Sequence, residues 1–198
     1  RLILLSLSIL ASFPTASQAD ETAPYIAVGA AKTRRTVVAL PGWSTPGTLS
    51  AATNKVMETL KADLLFMDLF QLQDSKFFTD TSTSTALGSF KMDAWSSIGT
   101  EFLVKATVAA NDKGLSIDTF LYQVATNAVV MNKRYVSSIG DVKVLAHTMA
   151  DDLVKAITGM PGIFRTKIAM ICDRTGKKEV YVMDFDGSDT KQLTKHRS

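Results

Sequence analysis

Apolar residues along this chain change rhythm several times, and that alternation restricts the fold more than any other feature. Leu49, Ala52, Val56 and Leu60 recur at helical spacing across Leu49–Lys61, and Val142, Leu145, Met149, Leu153 and Ile157 do so across Asp141–Thr158. Gly159 stands where the second stripe stops, the place for a left-handed cap. Phe90, Ala94, Trp95 and Ile98 predict a further helix over Ser89–Ile98, closed by Gly99. Between these, Thr36–Leu40 is a continuous apolar run of the kind a strand covered on both faces shows. Asp63–Phe70 also reads as a strand, with Asp74–Phe78 as a short extension of it. Glu101–Ala109, Leu115–Ala125 and Ala128–Val136 predict three consecutive strands, the first pair joined at Asn111-Asp112-Lys113-Gly114, whose Asn and Gly tolerate positive φ. Pro41–Gly47 and the Thr/Ser tract Thr79–Thr85 are expected to be surface loops. Helices alternating with strands predict an α/β fold, a mixed β-sheet carrying two main helices.

After Gly159 the helical rhythm ends. Lys167–Cys172 and Glu179–Asp184 read as strands separated by the turn Asp173–Lys178, and Phe185–Ser188 turns into a third strand beginning at Thr190. A sheet of two or three strands has no second layer for its apolar faces and is marginal alone in water. Residues 164–198 are therefore expected to open something larger, an incomplete antiparallel β-propeller blade.

The other end has a different character. Leu2–Phe13 is apolar apart from its serines, Arg1 precedes it, Pro14 breaks it, and Ser17 and Ala19 fit a signal-peptidase site before the polar Asp20-Glu21-Thr22. A dozen apolar residues fall short of the roughly 20 that span a bilayer. Residues 1–19 are accordingly expected to be a signal peptide, truncated at its start, and Tyr25–Gly29 a short strand in the exported chain. Composition narrows the function. With 46% hydrophobic and 21% charged residues the chain is no disordered tract. Its 22 Lys and Arg against 19 Asp and Glu are scattered, which leaves no basic stripe for nucleic acid. One Cys and two His exclude a disulfide framework and disfavour an all-protein zinc site.

The stretch from Ala146 to Thr194 resembles the TolB family, the periplasmic β-propeller proteins of the Tol-Pal cell-envelope system. In that family a final helix leads through T-G-x-x-G-x-F-R-T into a first blade of the form I-A-x-x-x-D-R-x-G-x-x-x-[IV]-Y-x-M-D-x-D-G. The matching residues are Thr158-Gly159, Gly162, Phe164-Arg165-Thr166, Ile168-Ala169, Asp173-Arg174, Gly176, Val180-Tyr181 and Met183-Asp184 with Asp186-Gly187, preceded by Ala146-His147-Thr148 and Ala150-Asp151. The resemblance implies an N-terminal α/β domain over residues 20–163 and a propeller from residue 164. It also implies a periplasmic, monomeric, non-enzymatic protein without cofactor, coupling TolA in the inner membrane to the Pal lipoprotein. Outer-membrane integrity, constriction at division and colicin-type import would be its duties. Pal would bind mainly the propeller. TolA would bind an N-terminal segment whose counterpart by position is Tyr25, Ile26, Ala27, Val28 and Gly29, an extended piece suited to adding a strand to a partner sheet.

The residues themselves show no catalytic constellation. His147 reads as a helix histidine packing or hydrogen-bonding at a domain boundary. Asp151 and Asp152 point about 100° apart on a helix and read as a solvated face rather than an acid/base pair. Cys172 reads as a small buried hydrophobe. Gly176-Lys177-Lys178 lacks the remaining residues of a phosphate loop, and Asp184–Asp189 lacks the ligand spacing of a calcium loop, so both predict hairpin turns. Trp43 and Trp95 are expected to anchor core or loops. An exported propeller hydrolase, with its Ser, His and Asp beyond Ser198, stands as the alternative to the adaptor.

Overall fold

Eight strands and three α-helices make up residues 34–195, the part of the chain that the computed structural model describes. The expected signal peptide and the Tyr25–Gly29 strand lie outside the described residues. Strand β1 (Thr36–Ala39) sits between β2 (Phe70–Leu72) and β3 (Phe102–Asn111) and runs parallel to both. A parallel β1–β2 pair needs a crossover, and helix α1 (Ser50–Phe66) supplies it. Beyond β3 the sheet turns antiparallel through β4 (Gly114–Gln123) and β5 (Ala128–Ser137), giving the order β2-β1-β3-β4-β5. The mixed sheet with two main helices is thus as the sequence predicts.

Helix α3 (Val142–Thr158) follows β5 and lies beside α1. Val56, Leu60 and Leu64 of α1 and Leu145, Met149 and Leu153 of α3 bury their stripes on Val38, Val104, Ala106, Ile117 and Leu121 of the sheet. The opposite face of the central strands is covered by the loops around α2 (Met92–Ser97), where Phe90 and Trp95 pack on Leu103 and Tyr122. β3 is therefore buried on both faces, whereas β5 forms an outer edge. At Gly114 (φ +133°) the β3–β4 turn passes so close to β5 that a Cβ would stand 2.8 Å from the Ser137 carbonyl oxygen, which is why glycine is there.

Two expected strands take another form. Residues 63–66 continue α1, because Leu64 extends the Val56–Leu60 stripe and Asp63 is buried toward α3; the strand begins only at Phe70. Ser75–Phe77 is a 3₁₀ turn whose start is capped by Asp74 accepting the Lys76 N–H, so no strand extends there. The helix expected over Ser89–Ile98 contracts to Met92–Ser97, since the Lys91 N–H is taken by the Asp80 carboxylate.

Past the left-handed Gly159 (φ +77°), residues 160–166 lead into a second sheet, β6 (Lys167–Cys172), β7 (Glu179–Asp184) and β8 (Lys191–Gln192), antiparallel in that order. Its turns are those the sequence predicts: Gly176 (φ +83°) donates to Asp173 O and Gly187 (φ +82°) to Asp184 O. Ile171 on β6 is 71% exposed, leaving one apolar side of this sheet uncovered.

Candidate functional site

The densest polar chemistry gathers where the small sheet meets α1 and α3. The stripe spacing that buries Val142, Leu145 and Met149 also turns Lys143, His147 and Asp151 toward this junction. His147 Nδ1 lies 2.8 Å from Asp63 Oδ2 of α1, both side chains being almost fully buried. On the other side of the ring, Nε2 stands 3.8 Å from Asp186 Oδ2 in the β7–β8 turn. Lys143 Nζ, one helical turn before His147, reaches Asp186 Oδ2 at 2.7 Å and donates to Ser188 Oγ at 2.5 Å. Phe185 meets the rings of Phe66, His147 and Phe164 edge-on at 5.5, 5.3 and 5.2 Å. A groove of about 580 Å³ opens beside them, lined by Lys55, Glu58, Phe66, Lys143, Phe185 and Asp186 among others.

One turn further along α3, Asp151 clasps the connecting segment. Its Oδ1 accepts the Phe164 N–H and its Oδ2 the Arg165 Nε–H, both at 2.9 Å. Gly162 passes so close that a Cβ would sit 2.6 Å from Asp151 Cα. The expected solvated Asp151-Asp152 face is thus incorrect: Asp151 is 8% exposed because it serves this clasp, and Asp152 accepts from Tyr135 Oη at 2.8 Å and Lys133 Nζ at 2.5 Å. The two carboxylates serve different neighbours and form no dyad.

Burial pushes the Asp63 carboxyl above its ordinary range, more than the His147 hydrogen bond lowers it. For Asp186 burial acts in the same direction but is outweighed: Lys143 and the Ser188 hydroxyl and N–H hold its carboxyl well below the usual range. This arrangement offers hydrogen bonds and ion pairs across an interface rather than an activated nucleophile. Ser188 Oγ accepts a hydrogen bond from Lys143 and donates one to Asp186 Oδ1 at 2.7 Å, but a carboxylate held so far below the usual range is too weak a base to activate the hydroxyl. Among the described residues no group of three or more His, Cys, Asp and Glu could hold a metal, and no helix is long and apolar enough to cross a membrane.

The sheet's other face carries a second polar cluster that sequence reading missed. Lys105, 2% exposed on β3, donates to Ser82 O at 2.5 Å and stands 4.4 Å above the Phe90 ring. Tyr122 Oη donates to Thr85 O. Asp80 collects the Ser82 and Lys91 N–H groups at 2.9 and 2.8 Å and Trp95 Nε1 at 3.3 Å. Together they tie the Thr79–Ser89 loop onto the sheet. Burial lowers the Lys105 pKa and pushes Tyr122 up to about 12. A lysine inside the apolar run Phe102–Val108 was the available signal, since a lone charge there requires a buried acceptor.

The remaining expected residues are accounted for individually. His147 does hydrogen-bond at the meeting of two layers. Cys172 is half-buried rather than buried, because it ends β6 at the edge of its sheet. Trp43 and Trp95 are core anchors, 8% and 1% exposed. Tyr25, Ile26, Ala27, Val28 and Gly29 lie outside the described residues.

Residues 24–130 match the family model described as the TolB amino-terminal domain. The Tol-Pal system protein TolB of Syntrophotalea carbinolica is 36% identical over 152 residues, covering 76% of this chain and 35% of that protein. Its counterpart in Anaeromyxobacter dehalogenans is 33% identical over 195 residues, covering 98% of this chain and 45% of that protein. Among solved structures, TolB from Acinetobacter baumannii superposes with a TM-score of 0.67 over 82% of this chain and 39% of that one, at 17% identity. The chain spans less than half the length of these relatives.

Proposed function

Because the chain belongs to the TolB family, we propose that it is the amino-terminal portion of a non-enzymatic Tol-Pal component that works by binding proteins across the periplasm. The single observation that carries this reading is the family match over residues 24–130, which covers more than half of the chain. In this reading residues 1–19 direct export, residues 20–163 form the α/β domain, and residue 164 opens the first blade of a propeller. The uncovered side of β6–β8 that carries the exposed Ile171 fits a blade that packs on further blades.

The partners follow from the same premise. TolA is captured by the segment Tyr25–Gly29, and Pal by the propeller. Such a protein transmits force and needs only binding surfaces, in keeping with a junction whose ion pairs run between the helices and the second sheet. Calorimetric titration of the full-length exported protein with the purified periplasmic domains of TolA and Pal from the same organism tests it. Both are expected to bind, and deletion of residues 20–33 is expected to abolish TolA binding alone. Failure to bind either domain would overturn the proposal, and loss of Pal binding on that deletion would overturn the assignment of the segment.

A further inference from the structure

His147 is enclosed by three elements, yet only one of its ring nitrogens is satisfied. Nδ1 faces Asp63 of α1 at 2.8 Å. Nε2 is buried without a hydrogen-bond partner and points toward Asp186 Oδ2, 3.8 Å away. That separation is too long for a hydrogen bond but short enough for a small shift to make one. A buried polar atom left unpaired is uncommon and calls for a cause.

The surrounding charges supply one. Asp63 and Asp186 flank the ring and Lys143 lies against Asp186, so two negative charges meet one positive charge. The outer charges are already engaged or exposed. Asp151 of α3 pairs with Arg165 ahead of β6, Lys167 of β6 pairs with Asp184 of β7, and Lys55 and Glu58 of α1 stand at the open rim of the groove. The inner set is one positive charge short. A ring with Nδ1–H donated to Asp63 has a lone pair on Nε2 that faces a carboxylate oxygen, and the two repel. A second proton on Nε2 turns that repulsion into a charge-assisted hydrogen bond and balances the set.

We propose that Asp63, His147, Asp186 and Lys143 form a proton-operated latch: when the His147 ring takes up a proton, Nε2–H closes onto Asp186 and clamps the β7–β8 turn against α1 and α3. Loss of the proton loosens the turn, and with it Phe185, whose ring packs on His147, Phe66 and Phe164. The proton moves between solvent and Nε2, and no bond other than N–H forms or breaks. Asp186 remains an acceptor across the range in which a histidine titrates, because Lys143 and Ser188 keep its carboxyl ionised. The latch therefore makes the seating of the second sheet on the helices sensitive to mildly acidic pH, whatever partners the protein binds.

Hydrogen exchange of the full-length protein at pH 5.5 and 7.5, corrected for the intrinsic rate, tests this. The Asp184 and Gly187 amides report, since both donate within the turn and neither touches the Asp186 side chain. Their protection is expected to be at least about fivefold greater at pH 5.5, the low end of typical coupling between sites. In Asp186→Asn, a change at a partly exposed turn, that difference should vanish while protection in β3 and β4 stays as in the wild type. His147→Gln should abolish it too, and ¹⁵N spectra of the imidazole should show both ring nitrogens protonated in the wild type at pH 5.5. Equal protection at the two pH values in the wild type would overturn the latch. So would an undiminished pH difference in Asp186→Asn, which decides the matter even if His147→Gln does not fold.

Discussion

Replacing Asp151 by alanine is expected to loosen the segment that joins α3 to β6, by an amount that follows from two hydrogen bonds. Asp151 Oδ1 is the acceptor for the N–H of Phe164, a residue only 1% exposed. Without the carboxylate that N–H is buried and unpaired, which costs about 1–3 kcal/mol. The bond to Arg165 adds little, because the arginine side chain is 61% exposed and such pairs contribute roughly 0–1 kcal/mol. The total for Asp151→Ala is then about 1–4 kcal/mol. Asp151→Asn retains an acceptor for Phe164 and loses only the ion pair, so it should cost less than about 1 kcal/mol. Native-state exchange of the Phe164 amide reads this local free energy directly. Gly162→Ala should resemble Asp151→Ala, since its Cβ would press on the backbone at Asp151 Cα, which cannot swing away as a side chain could. An unchanged Phe164 exchange rate in Asp151→Ala, or an equal loss in Asp151→Asn, would refute the reasoning.

Gly159 holds φ +77° with open space around the site of a Cβ, so Gly159→Ala should lower stability by about 1 kcal/mol through backbone strain alone, read from the urea midpoint. A midpoint equal to the wild type's would mean the helix ends some other way. Tyr122→Phe removes the donor to Thr85 O and should cost about 0.5–1.5 kcal/mol, with faster amide exchange concentrated in residues 79–89; exchange rising evenly over the sheet would contradict the assigned role. Burial raises Asp63 above its ordinary 3.8, so the folded chain holds that proton more tightly than the unfolded chain does. Its contribution to stability is then fully present below pH 3.8 and declines as pH rises through the folded value. Asp63→Asn should flatten that decline in urea midpoints measured from pH 3.5 to pH 7, and parallel curves for the two proteins would disprove it.

Features encoded within a few residues of themselves were legible in the chain. The stripes of α1 and α3, the Asn111–Gly114 hairpin, the left-handed stop at Gly159 and the turns at Gly176 and Gly187 each depend on local spacing or on a residue's own φ preference. The family resemblance was legible for a related reason, because its motifs lie in a continuous run from the end of α3 through β7. Readings failed where a residue's meaning lay far along the chain. Asp63 looked like the start of an apolar strand, whereas its place in α1 is stabilised by His147, 84 residues away. Asp151 looked solvated because its two partners are recruited only when the chain folds back beyond Gly162.

What sequence alone determined, then, is the inventory: an α/β layer with two long amphipathic helices, a small antiparallel sheet after it, and membership of an envelope-protein family. Only the tertiary structure decided which side of each element faces which neighbour. That choice sets which charges lose water, and so it decided that Lys105 holds a loop and that Asp63, His147 and Asp186 meet. Periodicity reports that a face is buried, but a hydrogen bond requires two particular atoms within about 3 Å. That distance is set by how the layers pack.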